Sequence, residues 1–354
     1  TPPSKNKLRG KGIAVSVKRN GKKGANSDFS KATVEVNNKG TVYIYSDVIS
    51  VGQGTETSLA QIASEILGVS QKRIKVITGN TDTIADGHGV GADRGTVFIG
   101  SATAKAAENL REKITKIASK FLDIDPINVV LSDDKIFDSS DPDHGMDFTE
   151  FAHRARFDDP STKLDQNETG VSLVGHATFE SLEAQTVDPN TRLGNVSHTY
   201  THSSVGVILD VDLGTGDIDI VDICVAEDLG RVINPLLVEG QIQGCIGHAT
   251  GDVLLENFTY DAHGYPHNGT LVDYHLPTTV DVPLLTKMHK IESPDPATSH
   301  GQRGAGEGAL LPFPAAIANA IYDATGVRFR ELPLSPQKIL PSLIEHGLST
   351  HKKL

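Results

Sequence analysis

Apolar and polar positions alternate between residues 32 and 46. Two β-branched stretches, 32–36 and 42–46, flank Asn37-Asn38-Lys39-Gly40, and together they predict a hairpin. The period then changes. Leu59, Ile62, Ala63, Ile66 and Leu67 fall on one helical stripe that begins at about Thr57 and stops at Gly68. A short strand is expected at 73–78. The loop 79–95 has no clear period. A long helix follows, with Gly100, Ala104, Ala107, Leu110, Ile114, Ile117 and Phe121 on one face. The small residues at its start imply close packing against another element.

The stretch 123–166 is polar. It predicts a hairpin around Ser132-Asp133-Asp134, a short helix over 148–156 and a surface loop. Beyond a boundary near 160, strands are expected at 171–179, 200–211 and 218–225, the last two joined across Leu213-Gly214-Thr215-Gly216. Helices are expected over 235–255, 312–324 and 336–346. The pattern reads as an α+β fold of two mixed α/β subdomains, 1–160 and 161–354.

Composition narrows the function classes. The formal net charge of −12 argues against nucleic acid as the main partner. No run of eighteen apolar residues exists, so no membrane span is expected. The two cysteines, Cys224 and Cys245, have neither disulfide-scaffold nor metal-cluster spacing, which suggests a reducing, cytoplasmic setting. Sequons start at Asn167, Asn195, Asn257 and Asn268, and they matter only in a secreted protein.

The 34 glycines cluster at 52–54, 87–95, 240–251 and 301–308, as loops that approach something closely would require. Gln302-Arg303-Gly304-Ala305-Gly306-Glu307-Gly308 feeds a helix N-terminus. Its glutamate is either a solvated side chain on a turn or a carboxylate presented to a bulky ligand. Gly52-Gln53-Gly54-Thr55 is either a turn with Thr55 as N-cap or a second ligand loop. Gly87-His88-Gly89-Val90-Gly91 has the wrong spacing for a dinucleotide fingerprint, but a glycine loop before a helix can still hold an anion. Asp210 to Asp217 superficially suggests a calcium loop, but Val221 stands where the twelfth-position acid should be, so a hairpin turn is expected. His198 and His202 lie in a β-type stretch, too far apart there to chelate a metal.

The order of several motifs resembles the xanthine dehydrogenase, or molybdenum hydroxylase, family. They are Gly52-Gln53-Gly54-Thr55-Glu56-Thr57, Gly79-Asn80-Thr81-Asp82-Thr83, Gly91-Ala92-Asp93-Arg94-Gly95-Thr96, the run Glu227 to Pro235, Val238-Glu239-Gly240-Gln241-Ile242, Asp273-Tyr274 with Pro277, and Gly304-Ala305-Gly306-Glu307. The resemblance covers the C-terminal half of that family's molybdopterin-binding large subunit and is similar to the split medium subunit of nicotinate dehydrogenases.

The resemblance implies a molybdenum–pyranopterin cofactor, as its cytosine dinucleotide, with a terminal sulfido or selenido ligand. It implies Glu307 as general base, with burial adjusting its proton affinity. Gly52, Gln53, Gly54, Val90, Gly91, Ala92, Asp93, Arg94, Gln241, His248 and Arg303 would bind the cofactor, and no protein side chain would ligate the metal. His248 stands where the family commonly has Gln, and Arg303 where some members have Lys. The implied reaction is hydroxylation of a small N-heteroaromatic substrate, nicotinate-like, or of an aldehyde, with water as oxygen source. Implied partners are a second molybdopterin-binding subunit carrying the family's N-terminal half, a [2Fe-2S] subunit and an FAD subunit. Two other readings stay open at this point: a carbon monoxide dehydrogenase-like catalytic subunit, and a non-catalytic subunit that completes the pterin site.

Overall fold

A computed structural model describes residues 5–21, 28–84, 86–157, 173–181, 188–283, 285 and 287–349. The chain forms two compact units, each assembled from separated stretches. The first comprises residues 1–18, 200–293 and 305–354; the second comprises 19–199 and 294–304. The expected boundary near 160, the surface loop from 158 to 166, the start of the strand expected at 171 and the sequon at Asn167 lie outside the described residues.

The first unit is built on a four-stranded sheet ordered β1-β9-β10-β11. Its strands are β1 (Lys7–Asn20), β9 (Thr199–Asp212), β10 (Ile218–Asp228) and β11 (Lys287–Ile291). The expected hairpin of β9 and β10 is present, with Asp212 Oδ1 accepting the Gly214 and Thr215 N–H groups in its turn. The acidic run 210–217 is therefore a turn. Helices α4 (Pro235–Thr250), α5 (Phe313–Thr325) and α6 (Pro336–Glu345) supply most of the rest of this unit's core. Val205, Val207, Leu209, Ile223 and Val225 pack with Ile242, Ile246, Phe313, Ile317 and Ile339. Asn234 caps α4, its Oδ1 accepting from Leu237 N at 3.0 Å, and Pro235 follows at the first helical position.

β1 was not anticipated. Gly10 and Gly12 interrupt its apolar alternation because the α5 backbone lies against them. A Cβ at Gly10 would stand 2.0 Å from Ala320 O, and one at Gly12 2.1 Å from Ala316 O.

In the second unit, the sheet β4-β3-β2-β8 carries α1 and α2. Its strands are β2 (Phe29–Val36), β3 (Val42–Ser46), β4 (Ile74–Ile77) and β8 (Leu173–Glu180), and the helices are α1 (Thr55–Leu67) and α2 (Gly100–Leu122). The close packing implied by the small residues of α2 is realised at Gly175 on β8. A Cβ there would lie 2.0 Å from Ala106 O. The hairpin expected at 132–134 gains a third strand: β5 (Val129–Ser132), β6 (Lys135–Asp138) and β7 (Asp141–Asp147) form a small sheet, followed by α3 (Phe148–Phe157). Among the described residues, no helix is long and apolar enough to cross a membrane.

One local expectation is corrected. Thr55 is not the N-cap of α1. Gly54 is, in the left-handed region at φ 76°, and Thr55 opens the helix while its hydroxyl accepts from Gln53 Nε2. A cap at φ near +76° suits glycine better than threonine.

Candidate functional site

In the first unit, the loop 305–308 is fixed from three sides. Ser16 on β1 donates its hydroxyl to Gly308 O at 3.2 Å. Cys245 on α4 donates its thiol hydrogen to Gly306 O at 3.3 Å. Behind Gly308 lies Glu227, at the end of β10, fully buried and accepting the Ser203 hydroxyl at 3.0 Å. A Cβ at position 308 would stand 1.7 Å from Glu227 Oε1, so only glycine fits.

Glu307 sits between these anchors. Its side chain is not buried in this chain, retaining 53% exposure, and its Oε2 forms an ion pair with Lys18 Nζ. Lys18 is only 15% exposed at the side chain. Ser16 and Lys18 are two residues apart on one strand and so share a face. The same strand face therefore holds both the loop backbone and the Glu307 carboxylate. Gln241, Cys245 and His248 are spaced i, i+4, i+7 along α4 and share a stripe. Of these Cys245 is buried and His248 is exposed.

The second unit holds the other predicted loops. Gly52 (φ 109°) and Gly89 (φ 60°) have open space where a Cβ would stand. Their glycine identity therefore serves the backbone turn and leaves the surface clear. Gln53 is held locally: its Oε1 accepts Val51 N at 2.7 Å, and its Nε2 donates to Thr55 Oγ1 at 2.8 Å. The first turn of α1 receives no side-chain cap.

In the loop 87–94, Ala92 (φ 49°) and Asp93 (φ 53°) both adopt the left-handed region. That conformation is costly for residues other than glycine and persists only where surroundings enforce it. Arg94 supplies much of that enforcement. Its guanidinium is fully buried. It donates to Asp28 Oδ1 at 3.0 Å, Phe29 O at 2.5 Å, Ser30 Oγ at 2.8 Å and Gly89 O. Gly21 N holds Ala92 O at 2.7 Å. Arg94 thus faces the protein interior, and the backbone of Val90, Gly91, Ala92 and Asp93 is what the loop can offer a ligand.

Asp47 packs against Gly87, where a Cβ would be 2.3 Å from its own Cβ. Burial pushes the Asp47 carboxyl above the usual carboxylate range. The Arg94 charge and weaker polar contributions from Ser30 and nearby backbone only soften the shift, since no partner meets its oxygens at full hydrogen-bond geometry.

Residues 302–304 belong to this second unit. Gln302 is fully buried and donates through Nε2 to Thr96 O at 2.9 Å and Ser101 Oγ at 3.1 Å. Arg303 pairs through Nε with Asp295 Oδ2 at 3.2 Å. Gly304 lies against Asp93, where a Cβ would be 2.5 Å from Asp93 O. His198 bonds to Ala297 O at 2.6 Å. Among the described residues no cluster of His, Cys, Asp or Glu could hold a metal ion.

Sequence reasoning named Glu307 and the glycine loops. It missed Lys18, Ser16, Ser203 and Asp28, which support them. Asp28 and Arg94 are 66 residues apart, and no local pattern joins them. Glu227 stood inside a quoted motif, but nothing local revealed that its side chain fills the space behind Gly308.

Comparison with known proteins now bears on these loops. The family model described as "Molybdopterin cofactor-binding domain" matches residues 2–283. The gamma subunit of the 6-hydroxypseudooxynicotine dehydrogenase complex of Paenarthrobacter nicotinovorans is 33% identical over 313 residues, covering 88% of this chain and 37% of that protein. The nicotine 6-hydroxylase large subunit of the same organism is 30% identical over 347 residues, covering 94% and 40%. Among solved structures, quinoline 2-oxidoreductase from Pseudomonas putida 86 superposes with a TM-score of 0.82 at 30% identity, covering 96% of this chain and 42% of that one. The chain therefore spans about two fifths of the length of the curated relatives it matches. It belongs to the molybdopterin cofactor-binding domain family, as a molybdopterin-binding member of the xanthine dehydrogenase family.

Proposed function

We propose that this chain is the catalytic, molybdopterin-binding part of a molybdenum hydroxylase that inserts a water-derived oxygen into an N-heteroaromatic substrate. The observation that carries this reading is the presentation of Glu307. Three side chains hold its loop, a glycine is required behind it, and its carboxylate remains half open to solvent. A carboxylate so held suits a general base, which must be placed within hydrogen-bond reach of the proton it takes. Retention of that arrangement speaks against a subunit that only completes a pterin site.

The residues present fit the cofactor. Open space at Gly52 and Gly89 lets a flat ring or a phosphate come close to backbone N–H groups. The uncapped first turn of α1 favours negative charge. We assign Gly52, Gln53, Gly54, Val90, Gly91, Ala92 and Asp93 to this binding, with Arg94 fixing the loop from within. Gln241, His248 and Arg303 are assigned to its surroundings. The proposed group is the cytosine dinucleotide form with a terminal sulfido or selenido ligand. When bound, molybdenum supplies the redox chemistry and the activated oxygen. Glu307 would accept, at a carboxylate oxygen, the proton released as the substrate carbon is hydroxylated.

The names of the relatives carry nicotine-type compounds and quinoline. These names favour an N-heteroaromatic substrate. We assign the remainder of the molybdopterin site to the part of its relatives that this chain does not span, and electron transfer to [2Fe-2S] and FAD partners. Neither cysteine forms a disulfide among the described residues, which fits a cytoplasmic setting. The test is metal and nucleotide analysis of the purified assembly, with turnover in ¹⁸O-labelled water. Molybdenum, cytidine monophosphate and labelled product are expected. Active protein without molybdenum would overturn the reading.

A further inference from the structure

We propose that Lys18 is an anion-recognition site for the substrate: its ammonium group binds a carboxylate carried on the heteroaromatic ring. This rests on Glu307 being the base.

The argument starts from charge. An anionic substrate approaching a bare carboxylate base is repelled by it, and the chain's net charge of −12 adds to that repulsion. At the proposed base the structure places a cation. Lys18 Nζ pairs with Glu307 Oε2, and the strand register that brings Ser16 to Gly308 O aims Lys18 there. The two partners are unequally exposed, at 15% for Lys18 and 53% for Glu307. The lysine stem is packed away and its charged end meets the carboxylate at the open side of the loop. An ion pair with one half in water adds little to stability, so holding the loop is not the whole effect of a mostly covered lysine here. Ion pairing instead suits a binding role. An ammonium group has three donors and no acceptor, so it can hold Glu307 and a second carboxylate together. It neutralises the base toward an incoming anion and fixes that anion's position relative to the base. A neutral substrate gains neither effect.

The experiment compares pyridine-3-carboxylate with pyridine-3-carboxamide, which share a ring and differ in charge, on the complete cofactor-loaded assembly. Binding is measured by calorimetry and turnover as kcat and KM. The wild type should favour the carboxylate by about ten- to a hundredfold in Kd and KM, the range of a charge-assisted hydrogen bond. Lys18→Met should collapse that ratio toward one. Lys18→Gln is the second charge-removing variant should the first fail to assemble, and Lys18→Arg should keep the ratio. A wild type that binds both compounds equally, or a Lys18→Met enzyme that weakens both by the same factor, overturns the proposal. Binding is read without turnover. A carboxylate preference in an assembly that hydroxylates nothing would keep the anion site and sink the hydroxylase reading. Hydroxylation of the amide with no carboxylate preference would do the reverse.

Discussion

Gly308 and Glu227 fit together so tightly that a methyl group at position 308 would stand 1.7 Å from the Glu227 carboxylate oxygen. Glu227 is fully buried and hydrogen-bonded to Ser203, so it cannot swing into solvent to make room. The loop would move instead, and Glu307 is its neighbour. Gly308→Ala should therefore lower kcat by about a hundredfold, the scale expected when a catalytic group shifts by about 1 Å. Molybdenum content should be retained. Steady-state kinetics with metal analysis checks this, and unchanged kcat would mean that the loop tolerates the shift.

The glycine loop of the second unit depends on a buried ion pair. Asp28 and Arg94 side chains are 2% and 0% exposed, and they meet at 3.0 Å. Removing one charge strands the other, which typically costs about 3–5 kcal/mol. Asp28→Asn should cost that much in denaturant unfolding and reduce cofactor retention. Arg94→Lys should fare no better, because an ammonium cannot reproduce the planar set of contacts to Asp28, Ser30, Phe29 O and Gly89 O. Wild-type stability in either variant would show that the loop does not need the pair.

Asp47 gives a pH signature. Burial raises its carboxyl above the ordinary value of 3.8, so the folded chain holds that proton more tightly than the unfolded chain does. Its contribution to stability is full below the unfolded value and is lost as pH rises through the higher folded value. At neutral pH the folded chain's resistance to ionising this carboxyl is a cost. Asp47→Asn should raise the denaturation midpoint at pH 7, with the gain shrinking below about pH 4. Equal midpoints at pH 7 would contradict the burial argument.

The sequence was readable where its signal was local. The stripe from Leu59 to Leu67 and the β-branched run before Asn37 announce their elements in consecutive residues, and both formed. β1 was invisible because its glycines answer to α5, more than 300 residues away. The same holds for the candidate site. Glu307 was legible as a carboxylate among small residues. Its supports were not, because Ser16 reaches Gly308 from 292 residues away and Lys18 comes from the same strand. Arg94 stood among the residues implied to bind the cofactor. Its inward pairing with Asp28 becomes evident only when the buried network is seen.

Substitution of the proposed base is the most direct test. Glu307→Gln keeps the size of the side chain and removes its capacity to accept a proton. In the complete assembly it should retain molybdenum and substrate binding while kcat falls by about a hundredfold or more, the lower range of general-base contributions. A Glu307→Gln enzyme with full molybdenum content and near-normal kcat would contradict the assignment of Glu307 as the base.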